Sequence, residues 1–152
     1  MSNNEKPVAI VTGASSGIGL GITQALLDRG YRVVGTSRSI TKSKELEPSP
    51  DLVLVNGDAG RKETAVVVAE TAVKNFGRID LLVNNAGIFI PKAFTDYTEE
   101  DYNLVMNTNV APQGRLLSSW RTSGQKGRWC GTFSRPRSSS IETSWPRPFF
   151  GR

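Results

Sequence analysis

The 152-residue chain has no histidine and a single cysteine, Cys130. The first absence removes the commonest metal ligand, and one thiol cannot complete a zinc site, so no metal centre is expected. A lone cysteine also excludes an internal disulfide framework, which fits a reducing compartment. No apolar run approaches the ~18 residues that suggest a membrane-spanning helix. The opening Met-Ser-Asn-Asn-Glu-Lys-Pro holds no apolar stretch of the kind a secretory leader needs. Together these absences predict a cytoplasmic protein with no membrane partner. The length allows one domain with a sizeable core and not two full ones.

A net charge of +5 invites a nucleic-acid reading, and its distribution argues against one. Residues 111–152 carry eight basic residues and one acid, Glu142, whereas residues 1–110 carry 11 basic and 13 acidic residues. The basic excess therefore belongs to the last 42 residues alone. Those 42 contain three Leu, Ile or Val residues (Leu116, Leu117, Ile141) against 29 in the first 110, and all three tryptophans, Trp120, Trp129 and Trp145. With so little aliphatic surface and no periodicity, the segment from Ala111 is predicted to be a disordered, irregular tail. The change is abrupt enough to suggest a shifted reading frame or a retained intron. A selected nucleic-acid arm would use lysine as well as arginine, and this one has only Lys126.

The first 110 residues alternate between strand and helix signals. Val8–Val11 is a short apolar run ending in Thr12-Gly13. A helical pattern follows, with Ile18, Ile22, Ala25 and Leu26 expected on one face and Gly30 as its stop. Arg32–Thr36 and Leu52–Val55 read as the second and third strands, with a polar, proline-containing loop between them. Ala65, Val68, Ala69, Ala72 and Phe76 recur at helical spacing before Gly77. Ile79–Val83 reads as a fourth strand, and Thr98 with Asp101 predicts a capping box opening another helix. Continuous apolar strands alternating with helices predict an α/β domain with a parallel sheet covered on both faces.

Two motifs carry chemistry. Thr12-Gly13-Ala14-Ser15-Ser16-Gly17-Ile18-Gly19 joins a strand to a helix start, where free N–H groups and the helix dipole favour a diphosphate. Glycine belongs there because a Cβ would keep the backbone from the phosphates. Asn84-Asn85-Ala86-Gly87 follows the fourth strand. With Asp58 after the third strand and Asn107-Thr108-Asn109-Val110 late in a helix, this order of motifs resembles the short-chain dehydrogenase/reductase family, over residues 7–110. The resemblance implies a doubly wound, Rossmann-like sheet of strand order 3-2-1-4, here truncated so that the fourth strand is an uncovered edge. It implies hydride transfer at an alcohol or carbonyl of a small-molecule substrate, in proteins that are homo-oligomers.

Roles follow residue by residue from the resemblance. Gly13, Gly17 and Gly19 would line the diphosphate, with Ser15, Ser16 and Ile18 against the cofactor. Asp58 and Ala59 would face adenine. Asn85, Ala86 and Gly87 would lie along the nicotinamide-side ribose, while Asn84 braces the central strand. Asn109 matches the family's catalytic asparagine. The end of the second strand, Thr36-Ser37-Arg38, lacks the acid that accepts a ribose 2′-OH in NAD enzymes and offers a guanidinium instead, which predicts NADP over NAD. The family's catalytic serine and its Tyr-x-x-x-Lys pair find no match. The residues four beyond Tyr31, Tyr97 and Tyr102 are Gly35, Asp101 and Met106. A catalytically inert, nucleotide-binding product is the alternative expectation.

Overall fold

The computed structural model describes residues 6–122 and 128–131. Five parallel strands form one sheet in the order β3-β2-β1-β4-β5. They are β1 (Val8–Thr12), β2 (Arg32–Ser37), β3 (Leu52–Asn56), β4 (Leu81–Asn84) and β5 (Arg128–Gly131). Helix α1 (Gly17–Asp28) connects β1 to β2, and α2 (Lys62–Phe76) connects β3 to β4. After β4 the chain runs through α3 (Glu99–Val105), a π-helical segment (Met106–Val110) and α4 (Ala111–Thr122). No helix among the described residues is long and apolar enough to cross a membrane.

Alternation along β1 explains why a strand buried along its whole length looks uniformly apolar. Val8 and Ile10 point to one face, where they pack with Val34, Leu82 and the α2 residues Ala65, Val68, Ala69, Ala72 and Phe76. Ala9 and Val11 point to the other, joining Val33, Leu52, Val83 and the α1 residues Leu20, Ile22 and Leu26. A helix on each face removes both sets from water, the arrangement a parallel sheet requires. The expected order 3-2-1-4 is present, and α2 ends where expected, closed by Gly77 with its N–H on Val73 O at 2.8 Å.

Three expectations need correction. Ile18 does not belong to the buried face of α1: it is 64% exposed, and Gly19 and Thr23 are buried in its place. A helix that opens under a tight glycine turn must present its smallest residues to that turn, which rotates the larger Ile18 outward. The irregular stretch does not begin at Ala111 either, because α4 continues the helix and packs on α2 through buried Leu116. The α2 face already supplies much of the apolar surface there, so α4 needs little aliphatic periodicity of its own. Finally, β4 is not an open edge. Leu81–Asn84 pair with Arg128–Gly131, a strand held by main-chain hydrogen bonds, which composition does not reveal. Residues 123–127 and 132–152 lie outside the described residues, and with them most of the expected tail.

Pro112 sits inside this continuous helix. A proline there has no N–H and its ring meets the carbonyl four residues back. The turn before it is π-helical, with the Ala111 N–H on Met106 O, five residues back. The wider turn gives the ring room, so the helix passes the proline without ending.

Candidate functional site

Strands β1 and β4 are neighbours, yet the chain leaves β1 toward β2 and β3 before returning to β4. Their carboxyl ends therefore carry loops that diverge to opposite sides, leaving a crevice at the switch point. The Gly13–Gly19 turn and the Asn85–Gly87 loop meet there.

Gly13 has φ +66°, a left-handed conformation that a residue with a Cβ rarely adopts. A Cβ on Gly13 would lie 2.9 Å from Asn85 Nδ2 and 3.0 Å from Ala86 Cα, and one on Gly19 would lie 2.2 Å from Gly13 O. Gly13, Gly19, Asn85 and Ala86 are thus one packed unit, although 72 residues separate the first from Asn85. The Asn85 side chain donates to Thr12 O at 3.0 Å and Gly13 O at 3.3 Å. It props up the glycine turn from below, a bracing contact that sequence reasoning did not foresee.

Thr12 is the hub of this unit, and no role was expected for it. Its hydroxyl, 1% exposed, accepts from Asn85 N–H at 3.0 Å and Ala86 N–H at 2.9 Å, and donates to Val83 O at 3.4 Å. One side chain on β1 thereby holds the exit of β4. The only available signal was its place directly before Gly13.

Ser15, Ser16, Gly17 and Ile18 form the rim, partly or fully exposed. No side chain caps the first turn of α1 and no acid lies in it, so its N–H groups and the positive end of the helix dipole are available to an anion. A turn that closes on Asn85 only because Gly13 and Gly19 lack a Cβ, leading into a first helical turn with no acid to repel phosphate, suits a dinucleotide's diphosphate.

Arg38 leaves the end of β2 exposed and without an ion pair or hydrogen bond among the described residues. The loop it opens also holds Lys42 and Lys44, with no acid before Glu45. That loop is pinned at two points. Asn56, at the end of β3, accepts from the Thr41 N–H at 3.1 Å and donates to Thr41 Oγ1 at 2.6 Å. The Ser43 hydroxyl donates to Ser15 O at 3.3 Å, joining the basic loop to the glycine turn.

Asp58 follows β3, where its Oδ1 accepts the Gly60 N–H at 2.8 Å and its carbonyl the Arg61 N–H at 2.9 Å. Ala59 lies at the tip of that turn, partly exposed. Gly87 is exposed beyond the packed unit. Asn109 lies in the π-helical segment, and both ends of its side-chain amide are engaged: Oδ1 accepts from Ile88 N–H at 2.7 Å and Nδ2 donates to Ile88 O at 2.9 Å. Its side chain therefore clamps the loop that leaves β4, and π-helical turns of this kind are frequent at functional sites.

A second clasp ties the far end of that loop to α3. The Lys92 ammonium lies 2.5 Å from Asp101 Oδ2, which also accepts the Thr98 N–H at 3.0 Å, while Thr98 Oγ1 accepts the Asp101 N–H at 3.2 Å. The expected capping box is present. Lys92, and after it the Thr98 N–H, hold the Asp101 carboxyl below its ordinary value. A carboxylate lowered in the folded state stabilises it above the unfolded value of about 3.9, and that contribution is lost as pH falls through the folded value. Wild-type melting temperature should therefore fall more steeply than that of Asp101→Asn below about pH 4. Thermal melts across pH 2–6 check this, and parallel curves would refute it.

Residues 7–119 match the family model described as short chain dehydrogenase. Among curated proteins, the chain is 35% identical over 119 residues to a 3-oxoacyl-[acyl-carrier-protein] reductase of Vibrio cholerae, covering 75% of this chain and 48% of that protein. It is 33% identical over 132 residues to a Salmonella typhimurium protein of the same description, covering 84% of this chain and 52% of that protein. Among solved structures, a short chain dehydrogenase from Bacillus anthracis superposes with a TM-score of 0.75 at 29% identity, covering 86% of this chain and 57% of that one. The chain spans about half the length of the curated relatives it matches.

Proposed function

This chain belongs to the short-chain dehydrogenase family, and from that membership we propose that its carboxyl-edge crevice holds NADP for oxidation or reduction of an alcohol or carbonyl carbon. The observation that carries the reading is the packed glycine unit at the switch point, where Gly13 and Gly19 leave no room for a Cβ beside Asn85. The Gly13–Gly19 backbone and the first turn of α1 receive the diphosphate, with Ser15, Ser16 and Ile18 at its rim. Asp58 and Ala59 flank adenine. Ala86 and Gly87 border the nicotinamide-side ribose, with Asn85 fixing their height. When bound, the nicotinamide supplies the hydride acceptor or donor. Asn109 sits at the family's catalytic asparagine and holds the loop beside that ribose.

The choice of NADP over NAD rests on charge. Arg38 stands exposed at the end of β2, followed in its loop by Lys42 and Lys44 with no acid before Glu45, and a guanidinium fits a 2′-phosphate. A hydrogen bond to a charged group is worth roughly 1.5–3 kcal/mol, and each ~1.4 kcal/mol is tenfold in affinity. Arg38→Ala should weaken NADP binding about ten- to a hundredfold and leave NAD nearly unchanged. Ser37→Asp should act in the opposite sense. Equal loss of both nucleotides in Arg38→Ala would move the arginine's role to the fold or the adenine face.

A second reading, nucleotide binding without turnover, is favoured by one observation: none of the three tyrosines has a lysine four residues on. Loss of a general acid/base removes on the order of 10²–10⁴ in rate. Under this reading, a polypeptide of these 152 residues binds NADP and turns over no alcohol or ketone. Robust NADP-dependent turnover by the purified chain would exclude it.

A further inference from the structure

The turn after β3 and the π-helical segment meet at a single tight point. A Cβ built on Gly60 would stand 2.9 Å from the carbonyl oxygen of Asn107 and 3.2 Å from Asp58 Oδ1. Real Cβ atoms essentially never approach another heavy atom within 3.0 Å, and no side-chain rotation relieves this approach, because the opposing atom is main chain.

Both partners are held in place. Gly60 N–H is bonded to Asp58 Oδ1 and Arg61 N–H to Asp58 O, and α2 starts at the next residue. On the other side, the Ala111 N–H goes to Met106 O, and Pro112, five residues after Asn107, has no N–H to offer. The Asn107 carbonyl is left facing the glycine. Two residues along the same segment, Asn109 grips Ile88 by both its amide atoms.

We propose that Gly60 is a positioning residue whose missing side chain lets the Asp58–Arg61 turn close on the Asn107 carbonyl and so fixes the segment from which Asn109 clamps Ile88. The turn on the adenine side and the loop on the nicotinamide side are thereby joined through a three-part chain of contacts: Gly60 to Asn107, Asn107 to Asn109 along the helix, and Asn109 to Ile88. The coupling itself is mechanical. Its consequence for the cofactor rests on the nucleotide reading above.

Amide hydrogen exchange of the full chain tests the coupling without any ligand. In Gly60→Ala the Ile88 amide should exchange about tenfold faster or more, while amides of the β1–β2 ladder keep their rates. Gly21→Ala, where a Cβ meets nothing within 4 Å, is the control and should leave Ile88 unchanged. If Gly60→Ala does not fold, the reciprocal variant decides: Asn109→Ala should speed exchange at the Gly60 and Arg61 amides. An unchanged Ile88 rate in folded Gly60→Ala, or unchanged Gly60 and Arg61 rates in Asn109→Ala, overturns the proposal. NADPH titration is the second readout, with an expected loss of about tenfold in affinity for Gly60→Ala. A response in exchange with no NADPH binding by the wild-type chain upholds the coupling and removes the nucleotide reading. Unaltered exchange with normal NADPH binding removes the coupling and leaves that reading intact.

Discussion

Gly19→Ala is expected to abolish binding of the nucleotide proposed above and to lower the melting temperature of the chain. The added methyl would stand 2.2 Å from Gly13 O and 2.4 Å from Asn85 Nδ2, two atoms that are themselves hydrogen-bonded. Neither can yield without moving the turn, since Gly13 O is main chain and Asn85 is held by Thr12. Forcing extra volume into such packing costs about 1–3 kcal/mol and sometimes more. Alanine is better than glycine in a helix by only about 0.8–1.0 kcal/mol, so the steric term wins. Circular-dichroism melts and NADPH titration of the same protein check both halves. A variant as stable as wild type that still binds NADPH would mean the glycine unit is not the phosphate cradle.

Thr12→Val should be the more destabilising of the two, although valine nearly matches threonine in shape. The hydroxyl it removes accepts the main-chain N–H groups of Asn85 and Ala86. Leaving a buried donor unpartnered costs about 1–3 kcal/mol; these two belong to half-buried residues, which puts each toward the lower end, and both are orphaned together. The loop after β4 then loses its anchor to β1, and nucleotide affinity should fall with stability. Thr12→Ser keeps the oxygen and should recover most of both. Urea unfolding of the three proteins separates the outcomes. Equal midpoints for valine and threonine would show that water replaces the hydroxyl at no penalty.

Much of this architecture was legible in the sequence because it is encoded locally. The Thr12–Gly19 motif, the apolar runs of β1 to β4, the Gly77 stop and the Thr98–Asp101 box each depend on residues within a few positions of one another. The contacts among the candidate site residues were less legible. Asn85 could be placed directly after β4 by motif order, but its role as a prop under Gly13, 72 residues away, depends on β1 and β4 being adjacent. The same holds for Thr12 and for the Asn109 clamp on Ile88.

The region beyond Val110 misled for a different physical reason. Aliphatic periodicity reports a helix that must bury its own apolar stripe, whereas α4 packs on the apolar surface of α2, with Leu116 buried in that contact. The π-helical turn before Pro112 gives its ring room, so the helix continues past it. Strand β5 carries Arg-Trp-Cys-Gly, a composition with no strand signature, and joins the sheet through main-chain pairing to β4. Ile18 was misplaced because the buried side of α1 is chosen by closeness to the Gly13 turn, and only Gly19 is small enough to occupy it.

The claim that unites these observations is that the crevice between β1 and β4 is an NADP site. Isothermal titration calorimetry of the intact 152-residue chain with NADPH and, separately, with NADH tests it most directly. NADPH should bind saturably at one site, about tenfold or more tighter than NADH. Failure to bind either nucleotide by the folded chain, or tighter binding of NADH, would contradict it.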